Sequence, residues 1–386
     1  MNTSFIDAYF KGDRMIWIVV ILLSIFSILA VYSSTGTLAY KFQSGNTEYY
    51  LFKHGIIMLL GFAIVYFTHL LSYTFYARIS KIAILFAIPL LLLTLLTGTN
   101  LNEASRWLTL PIVNLSFQTS DLAKIALLLY VARSLSKKQD NIKDFKSAFL
   151  PIILPVSLVC GLILPANFST AAVLFTTCLV LMFFGRINIK YIISLIGIGI
   201  AGLLLFITIA SLLGYNGRIT TWKNRIENFK SGNDNGNYQT QQSKIAIASG
   251  GLFGKGPGNS SQRNFLPHPY SDFIFAIIIE EYGLLGGMLI VLLYVLLFYR
   301  AVIIVRKSPK AFATLLSIGC AFSLVFQAMI NMAVAVNLFP VTGQPLPMLS
   351  MGGTSIWFTS IAIGIILSVS RNVEQEEGKE LGNVAA

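Results

Sequence analysis

Apolar runs of about 20 residues recur along almost the whole chain, and each is long enough to cross ~30 Å of hydrocarbon at 1.5 Å per helical residue. In lipid every backbone N–H and C=O must find its partner inside the protein, so runs of this length are expected as helices. The composition agrees: of 386 residues, 55% are hydrophobic and 11% charged, whereas a soluble domain carries about a quarter charged residues. The expected spans are roughly 15–34, 50–70, 78–97, 117–135, 148–165, 168–185, 189–213, 272–300, 311–335 and 352–371. This is an all-α polytopic membrane protein of about ten helices, read as a single domain over 1–386. The first run is longer than an ordinary signal-peptide core and is followed by further spans, so it is not read as a cleaved leader. Cys160, Cys178 and Cys320 lie in apolar runs and read as small buried hydrophobes, with no disulfide or metal spacing.

A net charge of +12 raises the question of nucleic acid. Its placement points elsewhere. With the loops numbered alternately, most of the Lys and Arg residues fall on one side, among them Arg78, Lys81, Lys137, Lys138, Arg306 and Lys307. Basic short loops mark that side as cytoplasmic, with both termini there, including the polar tail 372–386. No nucleic-acid partner is implied.

Two segments on the opposite face break the pattern. One is the short loop 98–116; the other is the long extracytoplasmic stretch 215–271 between spans 7 and 8. They hold Arg106, Arg218, Lys223, Arg225, Lys230, Lys244, Lys255 and Arg263. Positive charge is normally depleted on this side, so an anionic ligand or anionic lipid headgroups are expected there. Arg106 beside Trp107 offers an anion fork next to an aromatic platform for a sugar or the membrane interface.

Several residues could carry chemistry. Asp272 opens span 8, where a carboxylate either caps the helix or serves as a base. Glu280 and Glu281 lie deeper in the same span, and intramembrane carboxylates are costly enough to suggest a function. Glu280 sits about 80° around and about 12 Å along from Asp272, so it is the one expected to share a cavity with it, or else to anchor neighbouring helices. Asp121 and Lys124, three residues apart, can pair within one helix or place a cation under a phosphate. The run GGLFGKGPGNS lacks the order of a nucleotide loop, and tight turns explain its glycines. LFPVTGQPLPMLSMGG reads as a rigid re-entrant or hairpin loop, and His268 stands alone, without metal-ligand spacing.

In YQTQQSKIAIASGGLFGKGPGNS, FLPHPYSDFIFAIIIEEYGLLGG and FQAMINMAVAVNLFPVTGQPLPMLSMGGTS, supported by NEASRWLTL and SFQTSDLAKIALLLYVA, the chain resembles the SEDS family of shape, elongation, division and sporulation proteins. The likeness covers nearly the whole chain, and Gly258, Asn259, Ser260 and Gln262 resemble the division-type (FtsW) branch. The resemblance implies a peptidoglycan glycosyltransferase in the cytoplasmic membrane. Such an enzyme polymerises lipid II, a disaccharide-peptide on undecaprenyl diphosphate, at the outer face during division or elongation, with inversion at the anomeric carbon. It makes Asp272 the catalytic candidate, and assigns Arg106, Trp107, Lys124, Arg218, Lys244, Arg263, Gln242 and Ser243 to substrate binding. Asp121, Glu280, Asn331, Thr342 and Ser355 support them. No cofactor is certain, although a divalent cation (Mg or Mn) could share the charge of the diphosphate. A class B penicillin-binding transpeptidase and other division or elongation proteins are the implied partners.

The chain departs from the family pattern at three places. Ser120–Asp121 stands for Ser-Glu, PHPYSD for Pro-Glu-x-His-Thr-Asp, and PANFST puts Asn167 where the family carries an aspartate, which puts a catalytic role at that position in question. Two other functions fit a polytopic fold with an amphiphile groove: a flippase for lipid-linked precursors, and a non-catalytic scaffold. A transporter is expected to carry charges or broken helices near the midplane of both halves. The polar residues here gather at one face instead.

Overall fold

The computed structural model describes residues 10–97, 99–101, 104–110, 115–212 and 238–385, with isolated helical positions at 225, 227 and 229. In chain order the helices before the first strand are α1 (Arg14–Ser34), α2 (Gly36–Phe42), α3 (Thr47–Leu70) and α4 (Tyr73–Thr97). Three short strands follow, β1 (Thr99–Leu101), β2 (Ala104–Leu110) and β3 (Leu115–Gln118). Next come α5 (Thr119–Lys137), α6 (Leu150–Ile163), α7 (Phe168–Phe184), α8 (Ile189–Leu212) and α9 (Tyr238–Gly250). The last three are α10 (Ile274–Lys307), α11 (Ala311–Ala335) and α12 (Thr354–Ala385). The chain forms two compact units, one of Met1–Phe75 with Asn237–Ala386, the other of Tyr76–Gly236.

Among the described residues, seven helical segments are long and apolar enough to cross a membrane: Arg14–Ser34, Thr47–Leu70, Tyr73–Thr97, Phe145–Ile163, Ile274–Lys307, Ala311–Ala335 and Thr354–Glu377. The three other runs counted as spans from sequence are also helical. However, α5 carries Asp121, Lys124 and Arg133, while α7 and the apolar part of α8 are shorter. Phe52, Leu59, Phe67, Leu85 and Leu96 are each about two-thirds exposed or more. Side chains of this size left outward on successive helices suit a lipid solvent.

In the second unit, the expected loop 98–116 and the first two residues of the expected span 117–135 hold antiparallel β1-β2-β3. Trp107 pairs with Gln118 and Leu108 with Phe117, and the β1–β2 register shifts between Thr99 and Asn100. Asn167 caps α7, its Oδ1 accepting from Thr170 N at 3.3 Å. Asn and Asp serve almost equally well there, so the cap survives the departure from the family pattern.

In the first unit α11 packs against α10 and α12 and is buried on nearly all sides, including Leu315, Leu316, Cys320 and Ala328. A helix apolar all round belongs in such a core. Long-range polar ties hold the surrounding elements. Ser27 Oγ meets His54 Nε2 at 2.8 Å and donates to Leu349 O at 2.9 Å. Arg300 grips the Asp13 carboxylate at 2.6 and 2.8 Å.

α10 is broken at Gly283, whose φ of 69° and ψ of −174° are not helical. In an unbroken helix, residues 284 and 285 would donate to the carbonyls of 280 and 281. Here Leu284 N donates to Gly251 O at 2.9 Å and Leu285 N to Leu252 O at 3.3 Å. The released carbonyls of Glu280 and Glu281 accept from Lys255 N at 3.0 Å and Gly256 N at 2.9 Å. Four backbone groups are thus satisfied by exchange, where an orphaned buried group would cost about 1–3 kcal/mol. The exchange requires close approach: a Cβ on Gly283 would lie 2.2 Å from Leu252 O, and one on Gly254 2.2 Å from Glu281 O. The glycine run therefore serves contact with a broken helix as well as turning.

Gly283→Ala is expected to cost at least about 2 kcal/mol, from a backbone region nearly restricted to glycine plus the overlap. Gly258→Ala, at φ +80° but facing open space, should cost less than half as much. Thermal unfolding of the two variants in one detergent checks the order, and equal midpoints would contradict it.

Candidate active site at the mouth of the broken helix

Asp272 lies in the turn that leads into α10. Phe273, almost fully buried, plugs this turn into a cluster with Leu266, Ile277 and Val334, flanked by Ile330 and Val341. Three consecutive carbonyls of the turn are then held from distant residues. Tyr270 O accepts from Met351 N at 2.9 Å, Ser271 O from Ser350 Oγ at 2.6 Å, and Asp272 O from Asn331 Nδ2 at 2.8 Å. The same Asn331 amide donates to Gln344 O at 2.7 Å, and Ser350 Oγ accepts from Leu346 N at 2.8 Å. The Pro/Gly-rich connection from α11 to α12 is thereby folded onto the Asp272 turn.

The Asp272 carboxylate is half-buried and does not cap α10; the cap position is Phe273, with no side-chain bond. Its Oδ1 accepts from Ser271 Oγ at 2.9 Å. Among the described residues its Oδ2 takes no hydrogen bond, and a Cβ on Gly343 would come 3.6 Å from that oxygen. Tyr270 faces His268, with 3.2 Å between its hydroxyl and Nδ1. Burial, then the nearby Tyr50 and Asp272, pushes the Tyr270 phenol above its ordinary pKa, so it stays a proton donor at neutral pH.

Glu280 takes the anchoring role. Fully buried, it accepts from Lys255 Nζ at 2.6 Å, Ser261 Oγ at 2.9 Å, and the backbone N–H groups of Ser261 and Gln262 at 3.2 Å each. Ser249 and Ser260 add hydroxyl donors. Every partner comes from 249–262 and none is Asp272, so the shared cavity expected from helix geometry is replaced by a carboxylate that ties down the glycine-rich loop. Beyond it, Arg263 Nη1 donates to Ser33 O at 3.0 Å, and the Ser33 hydroxyl donates to Glu281.

Other sequence candidates divide clearly. Ser243, read as a substrate contact, is buried and its hydroxyl donates to Ala335 O at 2.7 Å, which ties α9 to the end of α11. Beside it Gln242 is half-buried and Lys244 exposed. Thr342 is half-buried next to Gly343, and Ser355 is half-buried in the first turn of α12. In the second unit Lys124 pairs with buried Asp121 at 2.8 Å, and Trp107 is half-buried in β2. Arg106 has its backbone in β2, but its side chain lies outside the described residues, as does all of Arg218. Ser271, Ser350 and Gln344 were missed from sequence, because nothing in their spacing signals a bond to a turn so far away.

A magnesium or manganese ion requires several oxygen ligands. Among the described residues no group of three His, Cys, Asp or Glu side chains gathers, and the Asp272 turn brings one carboxylate. The described residues do not make an all-protein metal cage; Asp272 would hold such an ion only together with substrate phosphates, and no step is routed through one.

A helical membrane protein with a broken helix and an anchored carboxylate at its mouth is the class these features define. The model of the cell cycle protein family of FtsW, RodA and SpoVE matches residues 13–375, and the chain belongs to that family. It is similar to stage V sporulation protein E of Bacillus subtilis (strain 168), 33% identical over 93% of this chain and 97% of the relative. It is also similar to a probable peptidoglycan glycosyltransferase FtsW of Geobacter sulfurreducens (strain DL-1 / KN400), 32% identical over 97% of this chain and 98% of the relative. The rod shape determining protein RodA of Thermus thermophilus shares the fold at a TM-score of 0.69 and 24% identity, over 95% of this chain and 98% of that one. So does a chain of a peptidoglycan synthase complex that coordinates polymerization and crosslinking, at 0.74 and 23%, over 94% and 99%.

Asn331→Ala removes both donors that tether Asp272 O and Gln344 O, and should lower stability by about 1–3 kcal/mol. Lys244→Gln, on an exposed face, should stay within ~0.5 kcal/mol of the native protein. Unfolding midpoints in detergent distinguish the two.

Proposed function

We propose that the protein is a peptidoglycan glycosyltransferase that polymerises lipid II into glycan strands at the outer face of the cytoplasmic membrane. The observation that carries this reading is Asp272. It is a half-buried carboxylate with one oxygen turned to Ser271 and the other without a partner among the described residues, on a turn held at three successive carbonyls. Membership of the FtsW, RodA and SpoVE family supports it, as does the likeness to probable peptidoglycan glycosyltransferases.

The 4-hydroxyl of an incoming sugar donates its proton to Asp272 Oδ2 as its oxygen attacks the anomeric carbon of the growing chain. The new C–O bond forms while the bond to the lipid diphosphate breaks, and its electron pair leaves on the phosphate oxygen. Attack from the face opposite the leaving group inverts the anomeric centre. Anchoring the turn fixes the base before the substrate arrives, so little reorganisation remains for the reaction itself. Lys244, which makes no ion pair among the described residues, follows Ser243, whose hydroxyl bonds Ala335 O one turn of α11 beyond Asn331. It is a cation of this unit assigned to the departing diphosphate. Arg263, Lys124, Arg106 and Arg218 keep their substrate-binding assignment as part of the proposal. A class B penicillin-binding transpeptidase is the proposed partner, in keeping with the fold shared with a chain of a peptidoglycan synthase complex.

Purified protein, alone and with a class B transpeptidase, is incubated with lipid II and the products are resolved by size. Glycan polymer is expected from the native protein. A reduction of about 10²–10⁴-fold is expected from Asp272→Asn, the usual contribution of a positioned base. Unchanged polymer from this variant would remove Asp272 from the reaction, and no polymer under any partner condition would favour a flippase or scaffold.

A further inference from the structure

At the end of the first unit opposite Asp272, roughly 40 Å further along α10 at 1.5 Å per residue, lies a second polar feature. It is a cavity of about 550 Å³ where the start of α1 meets α10 and α12. Lys11, Arg14, Arg300 and Arg371 line it against two carboxylates, Asp13 and Glu374, so the wall carries an excess of positive charge. The cavity is built rather than incidental. Asp13 is buried, caps α1 by accepting from Met15 N and Ile16 N, donates its own N–H to Ser370 Oγ at 3.0 Å, and holds Arg300 at 2.6 Å. Gly12 N donates to Glu374 at 3.2 Å.

A basic cluster at a membrane boundary can serve topology alone. Charges that only set topology need neither a buried carboxylate holding one guanidinium in place nor a cavity between three helices. From the cavity wall an apolar stripe runs along α1, comprising Met15, Ile18, Leu22, Ile25 and Leu29, each 36–48% exposed. Residues at this spacing share one helix face. A cationic recess continuous with an apolar stripe matches an amphiphile with an anionic head.

We propose that this cavity binds a phosphate-bearing anion, with the headgroup of an anionic phospholipid from the adjoining leaflet as the source the stripe favours. Such leaflets attract basic clusters through their surface charge. The site is independent of the reaction at Asp272.

The test uses the full chain in mild detergent and native mass spectrometry. The probes are dioctanoyl phosphatidylglycerol, its phosphatidylcholine counterpart, and inorganic phosphate. Phosphatidylglycerol should bind at least fivefold more tightly than phosphatidylcholine. Lys11→Gln with Arg371→Gln should abolish that preference, while Arg306→Gln with Lys310→Gln, exposed at the same end, should keep it. Equal binding of the two lipids, or equal weakening in both double variants, would overturn the proposal. Competition by millimolar phosphate assigns the site to free phosphate compounds, and persistence of bound phosphatidylglycerol assigns it to lipid. If K11Q/R371Q aggregates, Lys11→Gln alone is read in the same way: a loss of twofold or more supports the site and no loss overturns it.

Discussion

The exchange of four backbone hydrogen bonds between α10 and residues 251–256 is the constraint on which the rest of the Asp272 end depends. A helix cannot be broken beside lipid unless its freed N–H and C=O groups are met by other protein groups. The glycine-rich segment meets them, and because Gly254 and Gly283 approach backbone too closely for a side chain, its path along α10 is narrowly set. Glu280 extends the same arrangement from backbone to side chain by collecting hydroxyls, N–H groups and the Lys255 ammonium. A buried carboxylate is tolerable where its lone pairs are filled in this way. Through Arg263 the segment also reaches Ser33 on α1.

Much of this was legible from the sequence where the signal is local. Long apolar runs announce helices because hydrophobicity and length act within one segment. Asp272 was legible as a carboxylate at a helix mouth, and Glu280 as a costly intramembrane acid. What was not legible depends on distant partners. The β1-β2-β3 sheet sits in a stretch with little alternation, and its strands are specified by each other. Asp121 and Lys124 neutralise each other within α5, so the sequence count of spans included a helix more polar than its neighbours. Asn331 and Ser350 reach the Asp272 turn across 59 and 79 residues. Ser243 looked available to a ligand until the end of α11 took its hydroxyl.

The departures from the family pattern separate geometry from chemistry. Asn167 keeps the helix-capping bond that an aspartate would make but not the charge, so a position can lose a possible catalytic group while its local fold persists. PHPYSD changes the neighbours of Asp272. The anchoring of its turn depends on main-chain carbonyls, which any neighbouring residue type would supply. This is why substitutions around the carboxylate are compatible with a fixed carboxylate.

The long sequence separation of those anchors has a consequence for biosynthesis. A ribosome that has completed α10 has made the aspartate, but Asn331, Ser350 and Met351, which hold the carbonyls of its turn, are still to be added. The nascent protein therefore passes through a stage in which the Asp272 carboxylate is present before these distant anchors of its turn exist. Full anchoring of the Asp272 turn arrives late, with the segment joining the last two helices.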